Sequence, residues 1–225
     1  MVALRQDCVD VDSMAKDNRK NAGRIIALLK KEYPKAGVAL KFGEPLQLLV
    51  ATILSAQCTD ERVNAVTPAL FKRYRTAKDY ANADLKELET LVHSTGFYKN
   101  KARNIKAAAA MIVSRFGGKV PEDMADLLLL PGVARKTANV VLGGAFGKVE
   151  GIVVDTHVAR VSQLLGLTRN KEPAKIEQDL MTVVPRGEWW RFSNCLIAHG
   201  RRVCIARRPK CDLCVLNKLC PSSWA

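Results

Sequence analysis

The sequence predicts an all-α protein, and three observations carry that expectation. Apolar residues recur at helical spacing in most segments, while the alternation of a half-buried strand is nearly absent. Proline, glycine and capping residues stand at the joints between these segments. One stretch, Leu127 to Gly147, reads LLLLPGVARKTANVVLGGAFG, two apolar helices joined by a very short turn.

Taken in order, residues 1–16 have no clear period and read as a flexible tail. From Asn18 to Tyr33, Ile25, Ile26, Leu28 and Leu29 mark one helix face, and Pro34 ends the helix. After a linker, Leu46 to Ala56 is apolar nearly all round, which suggests a helix buried at the centre of a domain. It ends at Ser55-Ala56-Gln57-Cys58-Thr59-Asp60, where Thr59 or Asp60 can cap the next helix. Thr67-Pro68 is expected to open a further helix, with proline in its first turn. Asn82 or Asp84 opens another, with Leu85, Leu88, Leu91 and Val92 inward and an end near Gly96. Phe97 to Lys101 reads as a basic and aromatic turn, and Ala102 to Phe116 as an alanine-rich helix closed by Gly117-Gly118. Pro121-Glu122-Asp123 starts the first helix of the hairpin.

In that hairpin Gly132 suits a turn needing positive φ and close approach of another backbone. The second helix opens at Arg135, and the N–H groups of its first turn form an anion site that phosphate could fill. Lys136 sits in that turn. Two readings stand: a helix-hairpin-helix that grips a nucleic-acid backbone and carries a reactive amine, or a helical hairpin with a solvated lysine. Beyond it, Gly151 to Val154 is a short apolar run, a strand by composition but without an evident partner. Asp155 is placed to cap a helix carrying Val158, Val161, Leu164 and Leu165. Pro173 to Val184 and Glu188 to His199 complete the helical set; His157, His199, Trp189 and Trp190 read as structural.

A chain of 225 residues can form one sizeable domain or two small ones. Lys and Arg number 36 against 22 Asp and Glu, a net +14, which points to a polyanion and first of all to nucleic acid. No apolar run approaches the ~18 residues of a membrane span, and Met1 to Lys16 lacks the apolar core of a signal peptide. A cytoplasmic location is expected, nucleoid-associated in a bacterium.

Of seven cysteines, Cys204, Cys211, Cys214 and Cys220 fall within 17 residues at spacing C-x6-C-x2-C-x5-C. Four thiolates so close can surround a tetrahedral metal or a cubane cluster. Zinc is the natural competitor, although structural zinc usually takes two close pairs and only Cys211 and Cys214 form one. Cys58 and Cys195 read as small core residues. Arg207, Arg208 and Lys210 lie between Cys204 and Cys211, in a loop placed either to hold phosphate or to remain solvated.

The hairpin LPGVARKTANVV, the downstream VDTHVARV and the cysteine spacing, with SAQCTD and GFYKNKA, together resemble the endonuclease III branch of the helix-hairpin-helix DNA glycosylases from about Asn18 to the end. The resemblance implies two helical lobes with a DNA groove between them. One, at 38–148, contains the helix-hairpin-helix; the other joins 17–37 to 149–225 and carries one 4Fe-4S cluster. Lys136 matches the family's Schiff-base lysine, Asp155 its essential aspartate, and the four clustered cysteines its cluster ligands. Gln57 matches the residue that fills the gap left by a flipped nucleotide, and Phe97 stands where the family often has an aliphatic wedge. By the same resemblance Gly132, Val133, Ala134 and Arg135 are expected to form the turn that grips the DNA backbone; Ala134 stands where a second glycine is common.

The implied activity is bifunctional: excision of oxidised pyrimidines from double-stranded DNA, and strand cleavage at abasic sites, by a monomer. The rivals are an adenine-mismatch glycosylase, which ordinarily lacks this lysine, and a non-catalytic cluster-bearing DNA-binding module. An attacking lysine must be neutral, and lowering its pKa from ~10.4 to near ~8 needs about 3 kcal/mol. A helix N-terminus supplies only ~0.3–1 kcal/mol, so desolvation must supply most of the rest.

Overall fold

The computed structural model describes residues 11–225, with side chains from residue 20 onward, and every regular element among them is helical. The α-helices run α1 (Val11–Glu32), α2 (Pro45–Leu54), α3 (Asp60–Arg73), α4 (Ala77–Asn82), α5 (Leu85–Val92), α6 (Tyr98–Phe116), α7 (Met124–Leu129), α8 (Arg135–Ala145), α9 (Thr156–Leu164), α10 (Pro173–Val183) and α11 (Trp189–Arg202). They belong to two compact units: Val38–Glu150, and the chain up to Gly37 together with Gly151–Ala225. No helix among the described residues is long and apolar enough to cross a membrane.

In the unit Val38–Glu150 the apolar run at 46–56 becomes α2, opened by Pro45 in its first turn and buried at every residue from Leu48 to Leu54. Helices α3, α6 and α8 pack around it. Thr59 caps α3 by accepting from the Arg62 N–H at 3.2 Å. Pro68 does not open a helix, contrary to the sequence expectation, but lies inside α3. Its ring and missing N–H cost roughly 3 kcal/mol in a helix interior. The buried face of Val63, Thr67 and Leu70 carries the helix through it. The sequence reading also passed over α4, although Thr76 and Asp79 form a reciprocal capping box at its start. Asp84 caps α5, and a 3₁₀ turn, His93–Thr95, follows. Tyr98 to Lys101, expected as a turn, are the first turn of α6, because Phe97 itself serves as its N-cap. Gly117, at φ +61, ends α6 in the left-handed conformation.

In the other unit α11 packs on α1 and α9, and α10 on α1. The buried face of α1 is Ala22, Ile25, Ile26 and Leu29, with Tyr33 just beyond; Leu28, read as part of that face, is exposed. The tail expected at 1–16 lies, for 1–10, outside the described residues, whereas 11–16 are helical; no proline or glycine interrupts the chain from Val11 to Ala22. The run Gly151 to Val154 forms no strand. Ile152, Val153 and Val154 are buried all the same, and the Val153 N–H donates to Ser193 Oγ at 3.1 Å.

Candidate active site and cluster loop

The turn between α7 and α8 is built on one glycine. Gly132 has φ +78, and a Cβ added there would lie 2.8 Å from Asn104 Cβ on α6. Both reasons for glycine therefore apply, although the close neighbour is a side chain and not the backbone the sequence suggested. Ala134, the N-cap of α8, is extended at φ −94, ψ 171, a conformation in which alanine is at ease, so the second glycine is dispensable here. It offers no side-chain acceptor to the first turn of α8. Val133 turns its side chain into the core, leaving only its backbone for a ligand. Arg135 and Lys136 are exposed, and no ion pair or hydrogen bond engages the Lys136 amine among the described residues.

Gln57 and Phe97 share a peculiarity. They are the only non-glycine residues at positive φ among the described ones, at +51 and +48. Left-handed conformations in such residues cost of order 1–3 kcal/mol and cluster where the chain acts on ligands. Gln57 is exposed, and Phe97 is 66% exposed, the reverse of what burial of an aromatic would give. Lys101, in contrast, is 4% exposed, and its Nζ donates to Leu54 O at 2.8 Å and Thr95 O at 2.7 Å. Burial lowers its pKa.

Asp155 belongs to the other unit. Its Oδ1 accepts from the N–H groups of His157 at 2.9 Å and Val158 at 2.8 Å, which makes it the N-cap of α9 as expected. Its Oδ2 lies 3.0 Å from His157 Nδ1. His157 thus belongs with the aspartate; only the spacing of two in sequence could have signalled it. The carboxylate is mostly buried, with 14% of its side chain exposed. Gly200 allows α11 to approach α9 here, since a Cβ on it would come within 3.0 Å of His157 Cβ.

Cys204, Cys211, Cys214 and Cys220 line a single cavity of about 70 Å³ with Leu164, Leu165 and His199. Four thiols around one cavity are a donor set that suits a cubane cluster. Burial raises the Cys204 and Cys214 thiol pKa values; ligation would supply the opposing drive toward thiolate. Cys214 Sγ receives the Leu216 N–H at 3.4 Å and lies 3.4 Å from His199 Nε2. His199 Nδ1 is 2.9 Å from the Tyr33 hydroxyl. Burial takes the Tyr33 pKa up to about 12 and the His199 pKa down to about 4, so a neutral ring stands between the phenol and the sulfur. Arg160 donates to the carbonyls of Gly200 and Cys204, at 3.1 and 2.6 Å, and ties α9 to the start of the loop. Lys210 N–H bonds Val203 O at 3.0 Å and closes the loop at its base. Arg207, Arg208 and Lys210 are exposed on it, with no carboxylate against them among the described residues. Cys195 is buried as expected, while Cys58 is only partly so.

The family model of the HhH-GPD superfamily base excision DNA repair proteins matches residues 50–186. The model of the iron-sulfur binding domain of endonuclease III matches residues 204–220. The chain is 57% identical to endonuclease III of Synechocystis sp. over 92% of its length and 94% of the relative's. Two solved structures, a non-covalent endonuclease III–DNA complex and a trapped endonuclease III–DNA covalent intermediate, each superpose with TM-score 0.87 at 44% identity, covering 91% of this chain and 96% of theirs. A thermostable thymine-DNA glycosylase, 24% identical, shares the fold with TM-score 0.81. A 4Fe-4S cluster comes with this membership. From Lys136 on its glycine-turned hairpin to the ring of cysteines, the chain belongs to the endonuclease III family of base excision DNA repair enzymes.

Proposed function

We propose that this base-excision-repair DNA glycosylase and abasic-site lyase removes oxidised pyrimidines from duplex DNA as a monomer, with Lys136 as nucleophile and Asp155 as the charge that assists it. Gly132, Val133, Ala134 and Arg135 present backbone N–H groups and a cation to a phosphate at the start of α8. Gln57 and Phe97 enter the duplex and replace the stacking and pairing lost when a nucleotide leaves it, a cost of a few kcal/mol. Arg207, Arg208 and Lys210 hold further phosphates on a loop anchored by Cys204, Cys211, Cys214 and Cys220, which ligate the cluster. The observation that carries this reading is Lys136: an exposed amine in the first turn of the hairpin's second helix, with no partner among the described residues.

The chemistry follows from a neutral amine and an anchored carboxylate. Lys136 Nζ attacks the sugar C1′, forming the N–C bond as the glycosidic bond breaks and the base leaves with that electron pair and a proton. Opening of the sugar ring gives the imine. Loss of the C2′ proton and departure of the 3′ oxygen then cut the strand. Asp155, held by its cap bonds, stabilises positive charge developing on the sugar and helps move protons.

A panel of duplexes, each with one defined lesion, tests the substrate class. Oxidised pyrimidines should be excised and the strand cut. Exclusive action on adenine opposite an oxidised purine, or binding to abasic DNA without scission, would contradict the proposal.

A further inference from the structure

Lys101 has no role in the chemistry above, yet it is the one lysine buried among the described residues, and no carboxylate pairs with it there. An unpaired buried ammonium is costly, and two backbone carbonyls are what compensate it. Their positions are informative. Leu54 O is the last carbonyl of α2, and Thr95 O is the last of the 3₁₀ turn His93–Thr95. A cation is favourable at such ends. Three residues beyond Leu54 the chain reaches Gln57; two beyond Thr95 it reaches Phe97, the two left-handed non-glycine residues. The Lys101 backbone N–H also bonds Phe97 O at 3.1 Å. One residue thus joins both strained bends, although they lie 40 positions apart in the chain.

We infer that Lys101 is a positioning residue: its ammonium staples the ends of α2 and the 3₁₀ turn together and so fixes the spacing between Gln57 and Phe97, the pair that takes the place of the extruded nucleotide. This rests on the reading of Gln57 and Phe97 given above. The staple works within the unit Val38–Glu150 and needs no contact of Lys101 with DNA. Its burial also removes it as a competing amine for imine formation.

The test uses the cluster-loaded protein and a duplex with 2-aminopurine beside a single oxidised pyrimidine, whose fluorescence rises when the stack opens. Gln57→Ala and Phe97→Ala come first; if neither lowers the signal, the reading of those two residues fails, whatever Lys101 does. Lys101→Met keeps the unbranched stem to within one atom and removes the donors. It should lower the fluorescence change and slow single-turnover excision of the lesion by at least about tenfold, with a smaller loss of cutting at a preformed abasic site, where no base must be expelled. Added to the Gln57→Ala/Phe97→Ala double variant, it should bring no further loss of signal, because its effect passes through those residues. Lys101→Gln, which can still reach one carbonyl, should fall between and remains informative if the methionine variant does not fold. Equal losses on lesion and abasic substrate, an additive loss in the double-variant background, or a parental signal in either folded Lys101 variant would overturn the proposal.

Discussion

The hairpin turn at 130–135 and the cysteine loop at 204–220 both fix an irregular bend of chain, but by different means. The hairpin is fastened by burial: Leu127, Leu130, Val133, Ala138, Val141 and Leu142 all lie in the core around α2, and each large apolar side chain buried contributes about 1.5–3 kcal/mol. From Cys204 to Cys220 only Leu216 is buried, Leu213 is 69% exposed, and beyond the Arg160 bond to Cys204 O the backbone is held mostly by short local hydrogen bonds. The turn that carries Lys136 is therefore fastened by the core. The basic loop has no such core beneath it, and on the proposed ligation its shape depends on what the four thiols hold.

Replacing one thiol should break this contrast most severely. Cys214→Ser is expected to lose most bound iron and to loosen 204–220, at a cost comparable with removing a native cross-link, about 2–5 kcal/mol. Iron and sulfide analysis with limited proteolysis checks it; stoichiometric zinc and no iron in oxygen-protected parental protein would remove its basis. Asp155 is held by neither device, since a helix cap fixes it. Asp155→Asn should retain iron and change stability by less than about 0.5 kcal/mol, because asparagine caps about as well. Excision should nevertheless fall at least about 100-fold for want of the charge. Single-turnover rates beside thermal melts separate these effects, and near-parental excision would leave the aspartate only its cap.

Gly132→Ala attacks the hairpin alone. Positive φ and the contact with Asn104 should cost about 1–3 kcal/mol and weaken DNA binding, while iron content stays complete. An unchanged melt and an unchanged affinity would show that the turn tolerates a methyl. The smallest effect is expected on the other side of the comparison. Arg207→Ala/Arg208→Ala should leave iron and low-salt excision nearly intact and reduce the salt slope of DNA binding by about two, one for each lost phosphate contact. A slope equal to the parent's would make this loop a merely solvated one.

Legibility in the sequence followed the same division. Helices with a caps-and-core signature were readable: the apolar run of α2, Asp155 before α9 and the glycine end of α6 all stand where the residues put them. Boundaries failed where tertiary burial overruled local chemistry. Pro68 lies within α3 because Val63, Thr67 and Leu70 are buried together, and Phe97 is a helix cap because its neighbours hold it in a conformation phenylalanine does not choose. The hairpin and cysteine spacings were legible as motifs because their chemistry needs fixed local offsets. Asn104 against Gly132, and Lys101 across to Leu54, were not, since each contact joins residues far apart in the chain.

The proposed bond between Lys136 and DNA is tested most directly by trapping. Borohydride reduces an imine to a stable amine, so its addition during reaction with a duplex bearing an oxidised pyrimidine should link protein to DNA. Peptide mapping should locate the link at Lys136 and not at Arg135, whose guanidinium stays protonated. Lys136→Gln should still bind, through the hairpin backbone and the other basic residues, but should neither trap nor cut. A base-bearing lesion is essential to the design, because an adventitious amine can form an imine only on a preformed abasic site. Trapping on the base-bearing duplex that persisted in Lys136→Gln, or a link mapped to another residue in the parent, would contradict the account.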